Sequence, residues 1–138
     1  MRLTVVSLVA LFSLSGCVTS GLSGSSTSPL ETTRTETRTI AMGGGLVAGA
    51  IGQGFTESER RKALEAEYRA LEYTPAGQKI TWKSDDSGRS GEVVAAQAYR
   101  VGSQDCRQYQ HTVFGGSQSR SARGTACRNA DGSWTPLT

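Results

Sequence analysis

The chain has 138 residues and a mass of 14.6 kDa, with 36% hydrophobic and 7% aromatic residues, so it has room for one small domain. This size excludes a large enzyme with separate cofactor and substrate domains. The formal net charge of +3, without a clustered basic face, does not indicate a nucleic-acid partner.

Residues 1–16 have the pattern of an export signal. A short positive start precedes an almost uninterrupted apolar run, Leu3 to Leu14. Leu14-Ser15-Gly16-Cys17 then matches the lipobox of bacterial lipoproteins, in which the cysteine thiol receives diacylglycerol. We therefore predict that the chain is cleaved before Cys17 and that Cys17 is then acylated, with palmitate among the acyl groups. These acyl chains would anchor the protein in the membrane. The alternatives are an ordinary signal peptide with a chance cysteine and an N-terminal core helix.

The location and form of the next stretch follow from its composition. An Asp directly after a lipidated cysteine favours retention in the inner membrane, but this chain has Val18 at that position. We therefore expect the protein to be located in the outer membrane. Residues 17–39 are rich in Ser, Thr and Gly, and their charges cancel. They cannot bury enough apolar surface to fold, which predicts a flexible tether after the lipidated Cys17.

The uncharged segment 40–55 has small residues at every fourth position. On a helix this spacing makes a flat strip that permits close helix packing. The strip would consist of Gly44, Gly45, Ala48, Gly49 and Gly52. We predict a glycine zipper that packs against membrane or partner helices and allows oligomers to form. A flexible Gly-rich linker is the alternative, since a helix of this length, about 24 Å, is short for a bilayer core of about 30 Å.

The strongest helix signal covers Thr56 to Tyr73. Thr56 and Glu59 have the spacing of a capping box, and apolar residues then recur at helical intervals. We expect the opposite face to be a solvated charged surface. That face carries Glu57, Arg60, Arg61, Glu65, Glu67, Arg69 and Glu72.

Short segments separated by Gly, Asp and Asn predict an antiparallel β meander after this helix. The predicted strands are 79–82, 92–101, 106–114 and 123–128, with a turn into 133–135. The fold class is therefore α+β, with the helix and a small β domain together covering residues 56–138. We expect the aromatic residues of this domain to form its core. They are Trp82, Tyr99, Tyr109 and Trp134.

Two cysteines remain after Cys17, and they form an even pair in an exported, oxidising compartment. We predict a disulfide between Cys106 and Cys127, worth about 3 kcal/mol in the chain-entropy model. The single His111 and the lack of a Cys-x-x-Cys motif argue against a metal site, and no cofactor is expected.

The segment from Gly43 to Trp134 resembles the bacterial outer-membrane surface-antigen lipoproteins, of the rickettsial seventeen-kilodalton type. The matching residues are Trp82, Gly88, Gly91, Cys106-Arg107-Gln108-Tyr109-Gln110, Thr112-Val113, Gly124-Thr125-Ala126-Cys127-Arg128, Asp131-Gly132 and Trp134. The resemblance implies a lipid-anchored outer-membrane protein without catalytic residues.

We therefore expect a structural or binding role in the cell envelope and no enzymatic activity. The alternative is a periplasmic module that binds peptidoglycan or, like an inhibitor, a protein. Four arginines are candidate contacts to the anions of lipid A or peptidoglycan, or to other envelope proteins. They are Arg107, Arg120, Arg123 and Arg128. We interpret His111 as a surface or partner-contacting residue rather than a catalytic base.

Overall fold

The computed structural model describes residues 41–137. The predicted signal peptide, the lipidated Cys17 and the tether lie outside the described residues. The described chain contains two single-turn 3-10 helices, one α-helix and one sheet. The 3-10 helices are Leu46–Ala48 and Ala50–Gly52, the α-helix is α1 (Glu57–Glu72), and the strands are β1 (Lys79–Lys83), β2 (Ser90–Ala95), β3 (Tyr99–Val101), β4 (Gln104–Phe114), β5 (Arg120–Arg128) and β6 (Trp134–Leu137).

Helix α1 begins where the capping box predicts. The Thr56 side chain accepts a hydrogen bond from the Glu59 N–H at 3.2 Å, and the Glu59 carboxylate accepts one from the Thr56 N–H at 2.8 Å. Two of the first free N–H groups of the helix are thereby satisfied. The predicted charged face differs at Glu67, which is fully buried. Glu67 follows Ala63 by four residues and therefore lies on the packed side of the helix.

The six strands form one antiparallel sheet in the order β1-β2-β4-β5-β6, and β3 also pairs with β4. The prediction of one strand over residues 92–101 is wrong because a bulge divides it. Ala95 pairs with Tyr109, and Tyr99 pairs with Cys106. The three residues between Ala95 and Tyr99 therefore lie opposite only two residues of β4, which is a bulge. The strand predicted at 123–128 begins earlier, at Arg120, and the expected final turn continues into β6.

The predicted disulfide is present between β4 and β5. Cys106 and Cys127 are direct cross-strand partners whose Cα atoms lie 4.0 Å apart. Both side chains are buried. The bond therefore fixes the register of the two central strands.

Helix α1 covers one face of the sheet, which we call the inner face, and the hydrophobic core lies between them. Buried and exposed residues alternate along β2 and β4, as expected for a sheet with one solvated face. Three of the four aromatic residues predicted for the core are buried, namely Trp82, Tyr109 and Trp134. Tyr99 instead remains 43% exposed on β3.

The glycine-rich segment is not the predicted zipper helix. Gly43, Gly44 and Gly45 have positive φ angles, and this left-handed backbone is incompatible with a continuous right-handed helix. The five small residues expected on one strip, Gly44, Gly45, Ala48, Gly49 and Gly52, are instead spread over turns and the two 3-10 helices.

The same segment forms part of the core of the domain. Met42, Val47 and Ile51 are buried in it. Gly45 packs directly against α1, where a side chain would overlap Glu67. No helix within residues 41–137 is long and apolar enough to cross a membrane.

Candidate functional site

A chain of buried polar side chains connects α1 to the sheet. His111 lies on the inner face of β4, and its Nδ1 atom is 2.7 Å from a carboxylate oxygen of Glu67. Its Nε2 atom accepts a hydrogen bond from the Trp82 indole N–H at 2.9 Å. The second Glu67 oxygen accepts the backbone N–H of Leu46 at 2.9 Å. The acid–imidazole–indole chain thus joins helix, sheet and glycine-rich segment.

The expectation that His111 is a surface or partner-contacting residue is wrong, because its side chain is fully buried. The alternation of inward and outward residues along β4 could have predicted this burial, since His111 lies on the same face as Tyr109 and Val113. A side chain without solvent access does not meet a substrate. The arrangement therefore stabilises the packing of helix on sheet.

The hydroxyl of Tyr109 lies in the same buried region. It has no hydrogen-bond partner among the described residues. Burial, followed by the nearby charge of Glu67, raises the pKa of Tyr109. The phenol is therefore neutral wherever the domain is folded at ordinary pH.

A second polar cluster holds the β1–β2 loop against the N-terminus of α1. Arg89 contacts the buried carboxylate of Glu59 at 2.6 Å, and Ser87 donates a hydrogen bond to the same group. Burial alone would raise the pKa of Glu59, but the hydrogen bonds from Ser87 and Thr56 and the charge of Arg89 outweigh it and lower the pKa to about 2. Glu59 is thus an anionic anchor for the loop as well as a capping residue.

The prediction that four arginines are anion contacts is wrong for Arg107. Its side chain is buried, with 7% exposed. Its guanidinium donates to the carbonyl oxygens of Ala70, Leu71 and Thr74 at the end of α1, and to that of Ala96. Arg107 therefore caps the C-terminus of the helix, where a cation is favoured by the helix dipole, and is not an exposed anion contact.

Two of the other arginines also have internal partners. Arg120 donates to the carbonyl oxygens of Ala50 and Gln53, which tie it to the second 3-10 helix. Arg128 forms a bidentate ion pair with Glu72, with both distances 2.8 Å. The structure thus does not bring the predicted arginines together on one anion-binding face.

Arg123 differs from these three because it lies on the solvated face of the sheet, which we call the outer face. A shallow groove of about 640 Å³ crosses this face over the centres of β2, β4 and β5. We call it the outer groove, and its outward side chains are Glu92, Val94, Gln108, Gln110, Arg123 and Thr125.

The described part of the chain offers no group of three His, Cys, Asp or Glu side chains able to hold a metal ion. The exposed surface of residues 41–137 instead offers the outer groove, which presents amides, a hydroxyl, a guanidinium and the carboxylate of Glu92. That carboxylate accepts hydrogen bonds from the Lys79 ammonium group at 3.0 and 3.1 Å. The geometry of this groove suits binding.

The described residues thus form a small domain in which a helix covers one face of a disulfide-linked antiparallel sheet. The Cys-Arg and Gly-Thr-Ala-Cys-Arg blocks lie on paired strands of this sheet. The family model described as "17 kDa outer membrane surface antigen" matches residues 69–135. Over these residues the chain is similar to that family, which confirms the resemblance inferred from the sequence.

Curated relatives agree with this assignment. The chain is 41% identical over 85 residues to the 17 kDa surface antigen of Rickettsia bellii, an alignment that covers 61% of this chain and 54% of the relative. It is 42% identical over 82 residues to that of Rickettsia felis, covering 59% and 52% of the two chains. The chain thus spans about half the length of the curated relatives it matches. No solved structure is detectably similar.

Proposed function

We propose that this protein is a lipid-anchored surface antigen of the bacterial outer membrane, without enzymatic activity. The observation that carries the proposal is the sequence Leu14-Ser15-Gly16-Cys17 after a charged and apolar start. The relatives named 17 kDa surface antigen support the location, because the matching family is described as an outer membrane antigen. Acyl chains on Cys17 would supply about 0.8 kcal/mol of membrane affinity per buried methylene group.

The described domain fits a role outside the cytoplasm. Its Cys106–Cys127 bond is of the kind that persists in oxidising compartments. Residues 18–39, fully extended, would reach about 75 Å, so the domain could work well away from the membrane that holds Cys17. A binding or structural role follows, since the outer groove has hydrogen-bonding groups but no catalytic set.

Mass spectrometry of the protein purified from membranes tests the anchoring. We expect a mature N-terminus at Cys17 with diacylglycerol and amide-linked acyl mass added. The Cys17→Ser variant should leave the membrane fraction and appear as soluble protein. A Ser15→Thr variant, changed beside the cysteine but retaining it, serves as the control and should remain on the membrane.

Two results would contradict the proposal. One is a wild-type protein that begins at another residue. The other is a wild-type protein that washes from membranes without detergent.

A further inference from the structure

The predicted tether joins the domain at one end of the sheet. Ala41, the first described residue, accepts a hydrogen bond from the Trp134 N–H at 2.7 Å. Trp134 begins β6 and pairs with Arg128, the last residue of β5. The turn between β3 and β4 lies at this same end, because Cys106 near the start of β4 pairs with Cys127. We call this end of the sheet the tether end.

Exposed apolar side chains gather at the tether end. Five large hydrophobic side chains are exposed within residues 41–137, and three of them lie here. Tyr99 and Val101 are on β3, beside the turn into β4. Tyr73 directly follows α1, whose last residue, Glu72, accepts a hydrogen bond from the Trp134 indole at 2.8 Å. The tether and these three side chains therefore share one end of the domain.

The end of α1 and the chain that leads into β3 lie next to each other. The Arg107 guanidinium donates to the carbonyl oxygen of Thr74, the neighbour of Tyr73, and also to that of Ala96. Residues 96–105 are all exposed, so the rest of the described domain does not cover this stretch. The apolar side chains thus border one uncovered surface.

This surface suits the interface of a lipid bilayer. Tyrosine is favoured at the level of the headgroups, because its ring is apolar while its hydroxyl still reaches water. Two pairs of charges lie close by. Arg100 contacts Asp105 at 2.9 Å, and Arg128 contacts Glu72 at 2.8 Å. Because these four ions are paired, a bilayer that approaches the surface does not have to desolvate a lone charge from this group.

We propose that the tether end is a second membrane contact of this protein. Tyr73, Tyr99 and Val101 enter the headgroup region of the bilayer to which the tether leads. The occupant is this lipid surface because the chain that comes from Cys17 enters the domain at the same end. The inference rests on the proposed anchoring at Cys17 and adds an orientation, in which the sheet stands on the membrane.

The length of the tether favours such a contact. Full extension is the upper limit of its reach, whereas a random coil of the same 22 residues has an average span of about 26 Å. Strand β4 alone is about 35 Å long. The domain therefore remains close to the bilayer at a high effective concentration, and a contact made by three side chains is enough to populate one orientation.

Paramagnetic relaxation in lipid nanodiscs tests the proposal. The mature chain, residues 17–138, contains the whole described domain and is coupled to a maleimide lipid through Cys17, the only cysteine outside the disulfide. The discs consist of phosphatidylethanolamine and phosphatidylglycerol with a small fraction of gadolinium-chelating lipid. The effect falls with the sixth power of distance, and β4 is about 35 Å long, so amide protons of residues 99–103 should relax at least about fivefold faster than those of residues 115–119.

Variants identify the side chains responsible. Tyr99→Ser and Val101→Ser each remove an apolar contact and should lower the ratio of docked to undocked domain by about fivefold, which weakens the difference in relaxation between the two ends. Phe114→Ser is the matched control, because it removes a similarly exposed apolar side chain at the opposite end of β4. This control should leave the relaxation difference unchanged.

Three results would overturn the proposal. The first is equal relaxation at both ends, or faster relaxation at residues 115–119. The second is a relaxation difference that survives in the double variant with Tyr99→Ser and Val101→Ser. The third is an equal effect of Phe114→Ser and Val101→Ser. Because the link at Cys17 is made chemically, these results do not depend on acylation in the cell, which the mass of the native N-terminus tests separately.

Discussion

The indole N–H of Trp82 and the Nε2 atom of His111 lie 2.9 Å apart, and this contact determines which imidazole nitrogen carries the proton. An indole nitrogen is only a donor, so Nε2 must be an acceptor and the proton of the neutral ring resides on Nδ1. The Nδ1–H then donates to Glu67 at 2.7 Å. Each of the three side chains has a defined role, and no member can be removed without leaving another unpaired.

Replacing Glu67 by Ala should therefore be strongly destabilising. It removes the acceptor of both the His111 Nδ1–H and the Leu46 N–H inside the core. We expect the free energy of unfolding to fall by about 3 kcal/mol, measured by urea denaturation. Glu57→Gln, on the exposed first turn of the same helix, should cost about 0.5 kcal/mol. Similar losses in the two variants would show that the buried hydrogen bonds of Glu67, His111 and Trp82 do not stabilise the domain.

The local parts of the fold were accessible from the sequence, whereas contacts between distant elements were not. The start of α1 depends on Thr56 and Glu59, three residues apart, and it was predicted correctly. The Cys106–Cys127 bond followed from counting cysteines in an exported chain. The bulge between β2 and β3 depends on register with β4, which no local pattern specifies.

The buried polar residues were missed for a related reason. Glu67 and Arg107 occupy inward positions by helical and strand periodicity, but a charged residue there is normally assigned to the surface. Their burial is possible only because His111 and the carbonyls ending α1 lie opposite them. In the glycine-rich segment, small residues every fourth position fit a helix, but the positive φ angles at Gly43 to Gly45 favour turns.

The stability of the domain should depend on the ionisation of Glu59. Its pKa is lowered from 4.5 to about 2 in the folded protein, so the folded state favours the carboxylate. This contribution is complete above the unfolded pKa and is lost as the pH falls through the folded value. We expect the difference in unfolding free energy between wild type and Glu59→Gln to be constant near neutral pH and to shrink between pH 4.5 and about 2.

Urea titrations at several pH values measure this difference. Ser87→Ala serves as the companion variant, because it removes a hydrogen bond that lowers the pKa of Glu59. In that variant the folded pKa of Glu59 lies closer to 4.5, so the pH-dependent loss of stability should be smaller than in the wild type and should end at a higher pH. A wild-type to Glu59→Gln difference that does not change with pH would contradict the assignment.

Arg107 should be essential for the end of α1. Arg107→Ala leaves the carbonyl oxygens of Ala70, Leu71 and Thr74 without this donor, and we expect a loss of about 3 kcal/mol in unfolding free energy. Arg107→Lys keeps the positive charge but lacks the branched guanidinium that donates to several carbonyl oxygens at once. We therefore expect this variant to lose about half as much unfolding free energy as Arg107→Ala. Hydrogen exchange at residues 70–74 should quicken in both variants. Arg100→Ala serves as the control because it breaks only an exposed ion pair, and it should lower the unfolding free energy by about 0.5 kcal/mol or less. An equal loss in Arg100→Ala and Arg107→Ala would refute the capping role of Arg107.

Two glycines of the 3-10 region distinguish the observed turns from a zipper helix. A side chain on Gly52 would overlap the backbone carbonyl of Val47, whereas one on Gly49 would meet the Leu46 carbonyl oxygen at 3.4 Å, an ordinary contact. We therefore expect Gly52→Ala to destabilise the domain by about 1 to 3 kcal/mol and Gly49→Ala to change stability by about 0.5 kcal/mol at most. Thermal unfolding of the two single variants measures this contrast. A helix with both glycines on its packing strip would respond similarly to both changes, so equal shifts in melting temperature would speak against the turns described here.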